Sequence, residues 1–205
     1  VNPAGPGRTL AALAVIAVAA LAAFWTATSG FRVLTSESAR RLSVSRQPLA
    51  LPSARLADGR ELTAAIRDDG RVVLVDFIYT QCESLCTALG TDYQQLQREI
   101  QRRGLGDRVR LLSLSFDPDR DDAATLARHQ ARLRADPALW QASTVPDVAQ
   151  RARLLAAFGI VVVPDGRGDF VHNAAIHVVD AQGRLRGIHD LGRWPSALAD
   201  ALEAN

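Results

Sequence analysis

The stretch Val72-Val73-Leu74-Val75-Asp76-Phe77-Ile78-Tyr79-Thr80-Gln81-Cys82-Glu83-Ser84-Leu85-Cys86 decides how this chain folds. Its first eight residues are a nearly continuous apolar run, rich in β-branched and aromatic side chains. That is the pattern of a central strand covered on both faces. From Leu85 the apolar positions take helical spacing, through Leu89, Tyr93, Leu96 and Ile100, until Gly104 breaks the run. Both cysteines of the chain fall at this strand-to-helix junction. Ligands of open α/β sheets bind at the carboxyl edge of the strands, and a helix N-terminus stabilises thiolate. Residues i and i+4 share one helical face, with Cβ atoms about 5–6 Å apart. Two thiols so placed suit either one soft metal ion or a disulfide. A structural disulfide or two buried thiols is the plainer alternative.

Working outward, residues 109–116 read as a second strand closed by Asp117-Pro118. Residues 122–134 and 146–158 read as helices, the latter stopped at Gly159. Residues 174–179 and 184–188 pair across Asp180-Ala181-Gln182-Gly183, and residues 196–203 close the chain as a helix. Upstream, residues 55–62 suggest a small hairpin around Asp58-Gly59. The element order predicts an α/β domain of the thioredoxin-like plan, a central mixed sheet flanked by helices.

The N-terminal part is of another kind. Leu10 to Trp25 is uncharged and apolar, and with Thr9 and Ala27 it approaches the roughly 20 residues a bilayer requires. Phe24 and Trp25 suit an interfacial anchor, which favours an uncleaved transmembrane helix over a removed signal peptide. The expected partition is 1–8 as a flank, 9–27 as the transmembrane segment, 28–47 as a linker and 48–205 as the folded domain. Arg8 precedes the span while Arg32, Arg40, Arg41 and Arg46 follow it, so the positive-inside rule alone would keep the domain cytoplasmic. The cysteine chemistry argues for the extracytoplasmic, periplasmic side, and large domains translocate largely regardless of charge.

Composition excludes several classes. All 24 basic residues are Arg, set against 22 acidic ones and without a concentrated patch, so no nucleic-acid partner is expected. Two cysteines exclude a four-cysteine zinc site, and the absence of Met excludes a methionine-rich Cu(I) site.

Val75 to Thr80 followed by Cys82-x-x-x-Cys86 resembles the defining motif of the Sco/SenC family. Leu114-Ser115-Phe116-Asp117-Pro118, with Asp121 and Asp122 soon after, resembles its second block. Val171-His172-Asn173-Ala174-Ala175-Ile176, leading to Val179-Asp180-x-x-Gly183-Arg184-Leu185, resembles its histidine loop and hairpin. The three blocks stand in the family's order. The resemblance implies a membrane-anchored, thioredoxin-like copper protein that assists assembly of the copper site of cytochrome c oxidase. It also implies the metal ligands Cys82, Cys86 and His172, with the copper-site subunit of the oxidase, and other copper chaperones, as partners. Thr87 replaces the family's usual Pro, and Asn173 its usual Ser or Thr; neither change removes a ligand.

The ligand chemistry agrees. Thiolates select Cu(I), imidazole accepts both copper states, and a set of two sulfurs and one nitrogen serves Cu(I) and Cu(II) alike. His177 lies inside the predicted strand and points elsewhere, and His129 and His189 read as surface or cap residues. Asp117 is either a ligand-orienting group or a turn former, whereas Asp121 and Asp122 read as helix-start residues. Trp140 and Tyr79 read as packing. Asp76, an acid in an apolar strand, needs a partner or a raised pKa and is a candidate for tuning the thiols. The competing function is a thiol–disulfide oxidoreductase with Cys82 and Cys86 as its redox-active pair, reducing the cysteines of a copper acceptor. Oxidoreductases of this fold usually carry C-x-x-C and a facing cis-Pro, and neither is present. A peroxidase reading is weaker, because Thr80 precedes Cys82 by two positions rather than three.

Overall fold

The computed structural model describes residues 6–28, 30, 35–81 and 85–204, and divides the chain into two compact units, Val1–Arg46 and Gln47–Asn205.

The first unit holds helix α1 (Pro6–Ala27) and helix α2 (Ser36–Arg46). Gly7–Ala27 is long and apolar enough to cross a bilayer by length and composition. Residues 36–46, within the segment expected to be a linker, are helical. Thr35 Oγ1 accepts from the Ser38 N–H at 3.1 Å, and Glu37 pairs with Arg40 and Arg41 one turn on. A short-range cap and i,i+3/i,i+4 ion pairs stabilise a helix that lacks apolar periodicity.

The second unit is built on a six-stranded sheet, in the order β1 (Leu49–Ala50), β8 (Arg184–His189), β7 (Ile176–Val179), β2 (Val72–Ile78), β3 (Val109–Ser115), β4 (Trp140–Thr144). Strands β2, β3 and β4 are parallel; β7 is antiparallel to β2, and β8 to β7. Every residue of β2 and β3 is buried, as their unbroken apolar runs require. Helices α4 (Leu85–Arg103) and α7 (Trp194–Glu203) pack together on one face. On the other face Phe158, from α6 (Val148–Phe158), lies edge-on to Phe77 and His177. Helix α5 (Ala123–Leu133) packs on β4, capped by Asp122, whose carboxylate accepts from the Thr125 N–H at 2.7 Å.

The sequence reading misses β1, α3 (Leu62–Asp69), β4, and the hairpin of β5 (Val162–Pro164) with β6 (Phe170–His172). Strand β4 reads Trp-Gln-Ala-Ser-Thr, short and with a single large apolar side chain. It is held by register with β3, and by a Trp140 Nε1–H bond to Ser113 Oγ at 2.9 Å. Tertiary pairing overrides weak local preference there.

Asp76 pairs in register with Ser113 at the centre of the sheet. It is 1% exposed, and one of its carboxylate oxygens has no hydrogen-bond partner among the described residues. Burial pushes its pKa up to about 7, against a smaller opposing effect of the Ser113 hydroxyl. The folded state thus retains a proton that the unfolded chain releases near pH 4. The resulting stabilisation is complete below that pH and is lost as pH rises towards 7. Asp76→Asn is expected to remove this slope and to stabilise the domain at pH 8 by on the order of 4 kcal/mol. Urea unfolding at pH 5 and pH 8 checks this; an unchanged slope would contradict it.

Candidate metal centre

The parallel register of β2 and β3 runs to Ile78 opposite Ser115, and the Phe116 N–H donates to the Ile78 carbonyl at 3.1 Å. Both strands therefore end together, and the loops that follow them meet at one sheet edge. Asp121 holds the two loops. Its carboxylate accepts from the Thr80 N–H at 3.0 Å, the Thr80 hydroxyl at 2.5 Å and the Ser115 hydroxyl at 2.6 Å. Asp121 was expected to start a helix beside Asp122. Only Asp122 does so; Asp121 is buried and faces the other way, clamping the segment that leads to Cys82.

Cys82 lies outside the described residues. Cys86 falls in the first turn of α4, as its backbone shows, but its side chain is outside the description too. Among the described residues, no three His, Cys, Asp or Glu side chains form a group able to hold a metal ion. His172, the remaining predicted ligand, ends β6 and is 5% exposed. Its ring lies edge-on to Phe116, with centroids 5.0 Å apart, and to Tyr79 at 5.9 Å. Tyr79 and Phe116 are the residues that follow β2 and β3, so the histidine sits at the edge where the cysteine-bearing loop begins. Its Nδ1 is 2.9 Å from the Asn173 carbonyl. A carbonyl only accepts, so Nδ1 carries the proton and Nε2 keeps the lone pair a metal needs. Burial holds the imidazole pKa below its usual value, outweighing that hydrogen bond, which keeps the ring neutral at neutral pH.

The other histidines are placed differently. His177 is fully buried, its two nitrogens each 3.2 Å from the carbonyls of Val75 and Phe158. His189 meets Asp200 at 2.9 Å, and His129 lies beside Arg132 on α5.

Asp117 forms an ion pair with Arg120, a residue the sequence reading did not single out. The Arg120 guanidinium also donates to the Gln81 carboxamide oxygen at 3.1 Å and to the Gly168 carbonyl at 2.6 Å. It stands 5.1 Å from the Phe170 ring centre and 5.9 Å from that of Tyr79. One side chain thus ties the loop after β2, the loop after β3 and the histidine hairpin. Nothing in the local sequence distinguishes Arg120 from the other 23 arginines.

The sequence profile of the SCO1/SenC family matches residues 56–205. The chain belongs to the SCO1/SenC family. It is 26% identical over 118 residues to the SCO1 protein homolog of Bacillus subtilis (strain 168), covering 57% of this chain and 60% of that relative's length. Its fold is similar to BsSco, a member of the Sco family of cytochrome c oxidase assembly proteins in which a disulfide switch has been identified. The TM-score is 0.62 at 22% identity, over 77% of this chain and 95% of that one. It is similar also to Bradyrhizobium japonicum ScoI with copper bound, with a TM-score of 0.58 at 22% identity, over 77% and 98% of the two chains. The thioredoxin-like fold is that of these Sco proteins.

The two neighbouring aspartates give a contrast. Asp122→Ala loses a helix cap and is expected to cost about 1 kcal/mol. Asp121→Ala leaves the Thr80 N–H and the buried Ser115 hydroxyl without their acceptor, and is expected to cost about 3 kcal/mol. Equal losses on urea unfolding would contradict the clamp.

Proposed function

We propose that this SCO1/SenC protein binds copper as cargo through Cys82, Cys86 and His172, and delivers it during assembly of the copper site of cytochrome c oxidase. The observation that carries this reading is the His172 imidazole, neutral, with its tautomer set by Asn173, at the edge where β2 enters the cysteine loop. Copper bound to the similar ScoI, and the oxidase-assembly role of the family of BsSco, support the metal and the setting. The thiolates favour Cu(I), and the imidazole extends the set to Cu(II). Its partner is the copper-site subunit of the oxidase. Helix α1 anchors the chain in the membrane, with the second unit on the extracytoplasmic side.

A second reading has its own support in the disulfide switch of BsSco. In it the two thiols reduce an acceptor disulfide, giving up two electrons and two protons as their own disulfide forms. His172→Ala separates the two. Copper delivery predicts that this variant retains thiol cycling but loses Cu(II) binding by at least about tenfold, because Cu(II) favours nitrogen ligation. Oxidase copper content should fall with it. Normal oxidase copper content in cells carrying the variant, with Cu(II) binding abolished in vitro, would overturn delivery of Cu(II) and favour the reductase. Oxidation of the cysteine pair consumes both thiolates, so the oxidised protein is expected to release copper that the reduced protein holds. Titration read by absorption and electron paramagnetic resonance checks this, and equal affinity in both states would contradict the ligand set.

A further inference from the structure

Strand β4 is the last strand of the sheet, and beside it lies a cavity of about 620 Å³ that the copper reading does not use. Its walls are β4 itself, α5 and the turn around Asp58-Gly59. Along β4 the Leu111 N–H donates to the Leu139 carbonyl, so in the parallel register the odd-numbered residues bond to β3 and the even-numbered ones turn outward. The Trp140 N–H is taken by the Asp136 carbonyl, and the Thr144 carbonyl accepts from the Ala57 N–H at 3.0 Å. Between them the N–H and C=O of Ala142, at a half-buried position on the cavity wall, have no partner among the described residues. The bond from Ala57 is the first step of strand addition to this edge, which stops one pairing position short of Ala142.

A second observation points the same way. Both polar atoms of the Gln130 side chain, on the α5 wall, are buried and without a hydrogen-bond partner among the described residues, as is Nε of Arg110 across the cavity on β3. Unsatisfied buried polar groups are costly, and a carboxamide needs a ligand with both a donor and an acceptor. A peptide backbone offers both. Leu56, Leu112 and Leu126 give the lining its apolar part. Its charge is acidic: Arg60 pairs with Asp58 and Arg110 with Asp69, which leaves Asp119 and Asp122 beside the Asp121 carboxylate that clamps Thr80 and Ser115.

We propose that the cleft between α5 and the open edge of β4 binds an extended peptide segment carrying an apolar and a basic side chain, by strand addition at Ala142. The backbone supplies the bonds that Ala142 and Gln130 lack, the leucines receive the apolar side chain, and the carboxylates select the basic one.

The test uses the full chain in detergent and a fluorescein-labelled acetyl-Val-Arg-Val-Arg-Val-amide, followed by anisotropy. Saturable binding is expected, weakened about tenfold when the central valine is N-methylated, since one backbone bond is lost. The peptide with Glu in place of Arg is expected not to saturate. Gln130→Leu removes the carboxamide without emptying its place, so it is expected to weaken binding about tenfold with the thermal midpoint unchanged or raised. Absence of saturable binding would overturn the proposal, as would an affinity indifferent to both N-methylation and Gln130→Leu. Doubling of the protein's sedimenting mass, abolished by Ala142→Pro, would also overturn it, because the edge would then belong to a second copy. None of these readouts involves copper, so they stand apart from the test of His172.

Discussion

Everything at the candidate copper site depends on β2 and β3 ending together. Two parallel strands in unbroken register deliver the chain to one edge, and Asp121 then fixes the distance between the loops that leave it. A carboxylate accepting three hydrogen bonds is a stiff joint, because each donor would otherwise be left unsatisfied in a place with little water. Its effect reaches the cysteine loop through Thr80, two residues before Cys82. Arg120 completes the frame from the other side, joining Asp117, Gln81 and the carbonyl of Gly168. The histidine hairpin is thereby attached to the same edge as the loop that carries the thiols.

That frame gives His172 two properties a copper ligand needs. Burial keeps the ring neutral, and a bond to the neighbouring carbonyl selects the tautomer. Both are set by the ring's surroundings alone. The centre of the sheet carries a different kind of unfinished business. Asp76 is buried with an oxygen unpaired, and its cost to stability rises with pH. At the far edge, β4 stops short of completing its hydrogen bonds.

The strand from Val72, the helix after it, the second strand and the C-terminal hairpin were all legible, because burial on both faces and helical periodicity write themselves into local sequence. The three motif blocks carried the family. Strand β4 and the β5–β6 hairpin were not legible. The first is short with a single large apolar residue, and the second places Val163 and Val171 outward, opposite to the usual apolar-in pattern. Asp121 and Asp122 show the limit most clearly. Adjacent and chemically identical, they were read alike as helix-start residues, yet one caps α5 and the other clamps Thr80.

By itself the sequence determined the α/β class, the apolar N-terminal segment, the family, and the candidate ligands at a strand-to-helix junction. These follow from periodicity and from residue types at fixed spacing, which are properties of neighbours along the chain. Only the tertiary structure decided which aspartate clamps, that Arg120 holds three segments, that His172 is neutral with its lone pair on Nε2, and that β4 has an open edge. Apart from the tautomer of His172, which the adjacent Asn173 carbonyl selects, each of these depends on the burial and hydrogen-bond partners that distant segments supply. A side chain's charge state and orientation are set by the atoms around it, and those atoms become neighbours only when the sheet has formed.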